Sequence, residues 1–169
     1  MSNNKQPFRI GLGQDHHRFL NQKLNNSGCP LTIGGFVIPD QDISFDANSD
    51  GDVILHALGN ALSSALGGGS ISNIADPLCQ QGIYQSSAYL LPLLEQMKNA
   101  GYQIANISLS LEALRPKLET HRPDIVASLA KILSLQPNQI GLTFTTGESL
   151  TACGQGEGIA AHAIVLLQL

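Results

Sequence analysis

Charge is what this sequence has least of. Only 13 % of its 169 residues are Asp, Glu, Lys or Arg, where roughly 25 % is usual for a soluble globular domain. A domain of this size can cover its surface with so few charges in two ways. Part of the surface faces another protein, or Ser, Asn, Gln and Thr replace the charges. The first makes the chain a homo-oligomer, with cyclic symmetry the default; the second leaves a monomer. The oligomer is the expectation. A basic excess is missing too. The net charge is −4 and the pI near 5.6, which argues against nucleic acid or a membrane surface as partner. Only Arg115, Lys117 and Arg122 cluster, and three cations suit a small phosphorylated ligand better than a polymer. The three cysteines, Cys29, Cys79 and Cys153, form neither a CxxC knuckle nor a disulfide framework, so a reducing cytoplasm fits. The start, Met1 to Lys5, lacks the apolar run of a signal peptide. No apolar stretch has the length of a bilayer span.

Internal repeats and long linkers are also missing. The expectation is one domain over residues 1–169, with residues 1–7 a flexible tail. Phe8 to Gly13 reads as a strand leading to Asp15 and His17. A polar turn from Asn21 to Gly28 follows, then Leu31 to Ile38 with Gly34-Gly35 as a hairpin turn. A helix is predicted from Ser49-Asp50-Gly51-Asp52, whose Ser-x-x-Asp pattern resembles a capping box. Ile54, Ala57, Leu58, Ala61, Leu62 and Ala65 form its core face, with Asp52, His56, Asn60 and Ser63 opposite. Gly67-Gly68-Gly69 ends it, and an irregular stretch runs to about Gln85. A second helix carries Tyr89, Leu90, Leu93, Leu94 and Met97 and ends at Gly101. Ile104 to Leu114 alternates as a strand, Pro123 opens a third helix, and Ile140 to Thr145 alternates again. Ile159 to Leu169 reads as a last strand buried on both faces. This order predicts an α+β fold, with helices on one side of a mixed sheet. The Ser- and Thr-bearing face is left for a partner subunit.

Asp15 and His17 project to one side of the first strand while His16 points away. With His56 they offer one carboxylate and two imidazoles. That set leaves a fourth position open, as in a catalytic zinc site; an exposed Asp with two surface histidines is the alternative. Asp52, one turn before His56, either accepts a hydrogen bond from the ligating imidazole or only complements the helix dipole. Thr145-Thr146-Gly147-Glu148 follows a strand, where hydroxyls and amides hold phosphate oxygens and Glu148 can hold Mg²⁺ against them; ordinary turn composition is the other reading. Gly154 to Gly158 lacks the Gly-Lys-Ser/Thr ending and enters a strand, so it is no nucleotide P-loop. Arg115-Pro116-Lys117 is either a cap for a diphosphate or nucleotide, or a solvated turn.

Six blocks in order resemble the 2-C-methyl-D-erythritol 2,4-cyclodiphosphate synthase family, over about Arg9 to Leu167. They are Arg9-Ile10-Gly11 with Asp15-His16-His17; Ile33-Gly34-Gly35 with Ile38-Pro39; Ser49-Asp50-Gly51-Asp52-Val53 with His56-Ala57-Leu58; Pro116-Lys117; Thr145-Thr146 with Glu148; and Gly154 with Gly156-Glu157-Gly158-Ile159-Ala160. The resemblance implies a mixed four-stranded sheet with helices on one face and the other face at the centre of a homotrimer. It implies active sites between subunits, with Asp15, His17 and His56 on Zn²⁺ (or another divalent transition metal) and Glu148 on Mg²⁺ or Mn²⁺. Asn48 and Ser49 would line the methylerythritol end, and Pro116, Lys117, Thr145 and Thr146 the cytidine and diphosphate side. The implied reaction is cyclisation of 4-diphosphocytidyl-2-C-methyl-D-erythritol 2-phosphate with release of CMP, in the cytoplasm, or in the plastid stroma of a plant or alga. Alternatives are a zinc-dependent phosphoester enzyme with another substrate, or a trimeric non-catalytic zinc protein. The chain departs from the family pattern at Asn48, usually His, and at Gly69 to Ser72 and Ala75 to Pro77. It departs again at Ser149, usually Lys, and at Gln155, usually Arg.

Overall fold

The computed structural model describes residues 5–20 and 29–169; the turn expected from Asn21 to Gly28 lies outside them. Its elements are β1 (Phe8–Arg18), β2 (Thr32–Ile33), β3 (Phe36–Val37), α1 (Val53–Leu66), α2 (Ser72–Gln80), α3 (Ser86–Asn99), β4 (Gln103–Glu112), α4 (Arg122–Leu133), β5 (Ile140–Thr145) and β6 (Gly158–Gln168). Four strands form one mixed sheet in the order β1-β6-β4-β5. β6 runs antiparallel to both neighbours, and β4 and β5 are parallel. The α+β expectation holds, and β1 and β5 are the two edges.

One face of the sheet is the core. On it the residues Gly11, Gly13, Ala161, Ala163, Val165, Ile107, Leu109, Leu111, Ile140 and Leu142 fall in register rows. α1 lies on β1 and β6, and α4 beside β5. Two glycines set how close α1 comes. A Cβ at Gly11 would run into the carbonyl oxygen of Ala61, and one at Gly13 into that of Ala57. No side chain fits between β1 and this helix, so its next inward residues, Asp15 and His17, arrive directly beside the helix start.

α1 begins one residue after the predicted cap block ends. Asp52, not Ser49, is its N-cap, with its carboxylate accepting from the Leu55 amide at 3.1 Å. Gly67, left-handed at φ 80°, ends it as expected. The predicted core face is buried, but so are Val53, Leu55, Gly59 and Ser63. Ser63, predicted on the polar side, is buried, and its Oγ donates to Gly69 O at 2.6 Å in the turn after the helix. The stretch read as irregular contains α2. It is short, has Pro77 inside and only Ala75 buried, so it shows little apolar periodicity. The carbonyl that Pro77 leaves without its helical partner belongs to Asn73, an exposed residue.

The hairpin is as read, with Gly34 and Gly35 at φ 63° and 76°, the pair of positive φ values that a tight two-residue turn requires. β6 differs. His162 and Ile164 on its second face are exposed, so the strand is not buried on both sides. That outer face of the sheet splits in two. Phe8, Ile10 and Leu12 on β1 are 60–69 % exposed, whereas Ser108 and Thr143 occupy the β4 and β5 half. Of the expected tail, residues 5–7 are tied down: Tyr102 Oη donates to Gln6 O at 2.8 Å, and Leu169 N to Pro7 O at 3.2 Å. Among the described residues no helix is long and apolar enough to cross a membrane.

Candidate metal centre and phosphate pocket

Asp15, His17 and His56 meet. Asp15 Oδ2 lies 3.0 Å from His17 Nε2 and 3.1 Å from His56 Nδ1, and the two ring nitrogens are 3.1 Å apart. The three donors form a near-equilateral triangle, half-buried, and they are the one such group among the described residues. A point just off the triangle lies about 2 Å from each donor, within the range of zinc–nitrogen and zinc–oxygen bonds. One hard and two borderline donors, with one side open, therefore fit a divalent transition metal. Burial pushes the Asp15 carboxyl up, but the adjacent imidazoles of His17 and His56 outweigh it and hold it well below the usual carboxylate range. The group keeps its negative charge at any physiological pH.

Asn48, Ser49, Asp76, Cys79 and Tyr89 line the same cavity of about 290 Å³. Asn48 and Ser49 thus stand beside the triad. Asp52 is not the partner of the His56 ring. Its two oxygens accept from the amides of Gly34 (2.8 Å), Gly35 (2.5 Å) and Leu55, so the carboxylate is spent on joining the hairpin to α1. The outer nitrogen of His56, Nε2, meets Ser86 Oγ at 2.8 Å. Ser86 in turn donates to Asp50, through its hydroxyl to Oδ1 and its amide to Oδ2. Sequence reasoning missed both roles. Ser86 reads as a polar residue opening a helix, and Asp50 as part of a cap pattern.

The second group gathers elsewhere. Pro116, Lys117, Phe144, Thr145, Thr146 and Glu148 line a cavity of about 400 Å³ beyond the end of β5. Gly147, Glu148 and Ser149 are all left-handed, at φ 67°, 48° and 60°. A left-handed glutamate costs energy; here it turns the carboxylate back, where Thr146 Oγ1 donates to Glu148 Oε1 at 3.1 Å. Of the predicted cation cluster only Lys117 lines this cavity. Arg115 Nε donates to Gly156 O and its guanidinium sits over Phe19, 5.2 Å from the ring centroid, while Arg122 Nε donates to Leu142 O.

The two groups stand at opposite edges of the sheet. Asp15 pairs with Ala161, Ala161 with Leu111, and Leu111 with Phe144. Three strand spacings separate Asp15 from Phe144, about 14 Å, and Glu148 follows Phe144 on that far edge.

A model of the YgbB family matches residues 8–168. The chain belongs to that family. Its relatives are 2-C-methyl-D-erythritol 2,4-cyclodiphosphate synthases, lyases of the methylerythritol route to isoprenoids, and the resemblance read from the sequence is borne out. The synthase of Chlamydia trachomatis serovar A is 35 % identical over 161 residues, covering 95 % of this chain and 88 % of the relative. The chloroplastic synthase of Arabidopsis thaliana is 38 % identical over 164 residues, covering 95 % and 67 %. A solved synthase structure in its CDP-bound form is 37 % identical with a TM-score of 0.82, covering 95 % of this chain and all of that one. The family's fold, a mixed four-stranded sheet backed by helices, is the one seen here.

Proposed function

We propose that this YgbB-family chain converts 4-diphosphocytidyl-2-C-methyl-D-erythritol 2-phosphate into 2-C-methyl-D-erythritol 2,4-cyclodiphosphate and CMP, as a homotrimer with its sites between subunits. The observation that carries the reading is the triad of Asp15, His17 and His56, with donor atoms 3.0–3.1 Å apart, in a chain that shares the synthase family's sequence along nearly its whole length. Asp15, His17 and His56 hold the Zn²⁺, and Glu148 holds the Mg²⁺. Two bound cations supply charge neutralisation on the phosphate oxygens.

The chain's own residues do the rest by positioning. The reaction joins two groups of one substrate: an oxygen of the 2-phosphate attacks the β-phosphorus, and the bond to the CMP oxygen breaks. No proton has to leave the attacking phosphate oxygen, so the protein needs alignment and charge more than a general base. Asn48 and Ser49, beside the triad, hold the methylerythritol end. Lys117 places a cation, and Thr145 and Thr146 place hydroxyls, on the cytidine and diphosphate side. About 14 Å between the sheet edges is too far for one phosphate group to bridge within a single copy. A cyclic trimer that brings the β1 edge of one subunit to the β5 edge of the next would join the two half-sites. The apolar outer face supports the same assembly. A bare monomer would expose Phe8, Ile10 and Leu12 to water.

Phosphorus NMR of the purified protein with the substrate, Zn²⁺ and Mg²⁺ tests the reading. Paired cyclic-diphosphate resonances appearing with CMP are expected. A linear product would favour a phosphoester enzyme of altered substrate. No CMP under conditions that sustain an active synthase would overturn the reading.

A further inference from the structure

We infer that Ser86 is a positioning residue for the metal centre: its hydroxyl, oriented by Asp50, fixes the His56 imidazole as the Nε2–H tautomer and so presents Nδ1 as the metal ligand. This rests on the reading that Asp15, His17 and His56 hold a divalent transition metal.

A serine hydroxyl has one proton and two lone pairs, and a carboxylate only accepts. Asp50 takes two hydrogen bonds from Ser86, the amide on Oδ2 at 3.0 Å and the hydroxyl on Oδ1. The hydroxyl proton is therefore committed to Asp50. The 2.8 Å contact between Ser86 Oγ and His56 Nε2 then has one possible direction: Nε2–H donates, and the serine lone pair accepts. Ser49 Oγ also faces Nε2, but at 3.5 Å, too far to compete. With its proton on Nε2, the ring turns a bare lone pair on Nδ1 toward Asp15 Oδ2 and His17 Nε2, each 3.1 Å away. That lone pair and the Asp15 carboxylate oxygen repel until a cation lies between them. The serine thereby prepares the ring for metal without touching it.

The support is rigid. Ser86 is fully buried and is the first residue of α3, whose N-cap Gln85 makes no side-chain cap bond. Asp50 supplies that cap from outside the helix and puts a negative charge at its positive end. Asp50 also accepts from the Asp52 amide at 3.2 Å, which ties it to the start of α1, the helix that carries His56. Asp50, Ser86 and His56 thus repeat the carboxylate–histidine–metal arrangement with a hydroxyl interposed.

The test has two arms. On metal-free protein with ¹⁵N-labelled histidine, long-range nitrogen–proton correlation spectra report the His56 tautomer. Nε2–H is expected in the native chain, and an Nδ1–H ring there would overturn the inference without any variant. In the second arm, Zn²⁺ affinity is measured by chelator competition for the native protein and Ser86→Ala. A 10–100-fold loss is expected in the variant, with circular dichroism and oligomeric state unchanged and His56 a mixture of tautomers. Zn²⁺ binding by Ser86→Ala within about twofold of the native value would overturn it. Failure of the native chain to bind Zn²⁺ would instead refute the metal reading, and the tautomer spectrum would still judge Ser86.

Discussion

Asp52 holds a carboxyl in the protein interior, and burial pushes it up to about 6 against the hydrogen bonds of Gly35, Gly34 and Leu55, with the charge of Asp50 adding to the rise. Its ordinary value is 3.8. Between about pH 4 and 6 the folded chain keeps a proton that the unfolded chain has released. Stability from this group is therefore full below pH 4 and is lost as pH rises through 6. The loss is on the order of 3 kcal/mol. Thermal unfolding of native protein and Asp52→Asn across pH 4–7 measures it. The native profile falls over that window relative to the variant, and parallel profiles would contradict the assignment. Residue chemistry was largely legible in the sequence here, since Asp15, His17 and His56 meet as the strand alternation and helix placement predict. Asp52 was not, because spacing shows that it precedes His56 by a turn but not that two hairpin amides from 17–18 residues earlier occupy its oxygens. Ser86 was hidden for the same reason: its partner His56 lies 30 residues away.

Between element and site stands the contact of β1 with α1. Gly13→Ala would force a Cβ against the Ala57 carbonyl and the Asn60 Cβ, and backbone cannot yield as a flexible side chain does. The expected cost is at least about 1–3 kcal/mol, or several degrees in melting temperature. The same change pushes α1 off β1 and so separates His56 from Asp15, which is expected to weaken the proposed Zn²⁺ binding. Calorimetry and chelator competition read the two effects; unchanged values in both would contradict this packing. At this scale the strands and the three longer helices follow their periodicity. The failures are instructive. α2 has one buried residue and a proline, so no pattern announces it. β6 is mostly apolar on both faces, and apolarity alone does not say whether the second face is covered by the same chain or by another copy.

In the whole molecule, low charge and an apolar half-face of the sheet both support the proposed assembly. On the proposed function, the half-sites at opposite sheet edges make assembly a requirement of the chemistry and not only of solubility. The assembly itself is legible in composition only as an expectation, since contacts between copies leave no periodic trace in one chain. Complementation tests the shared site most directly. His17→Ala and Glu148→Gln are each expected to be inactive, because each trimer then lacks one half of every site. Trimers assembled at random from equal amounts of both place an intact triad beside an intact Glu148 in one arrangement of four. Phosphorus NMR should then show cyclic product forming at roughly one quarter of the native rate. Mixed trimers, verified by native mass spectrometry, that form no more product than the two variants alone would contradict a site shared between subunits.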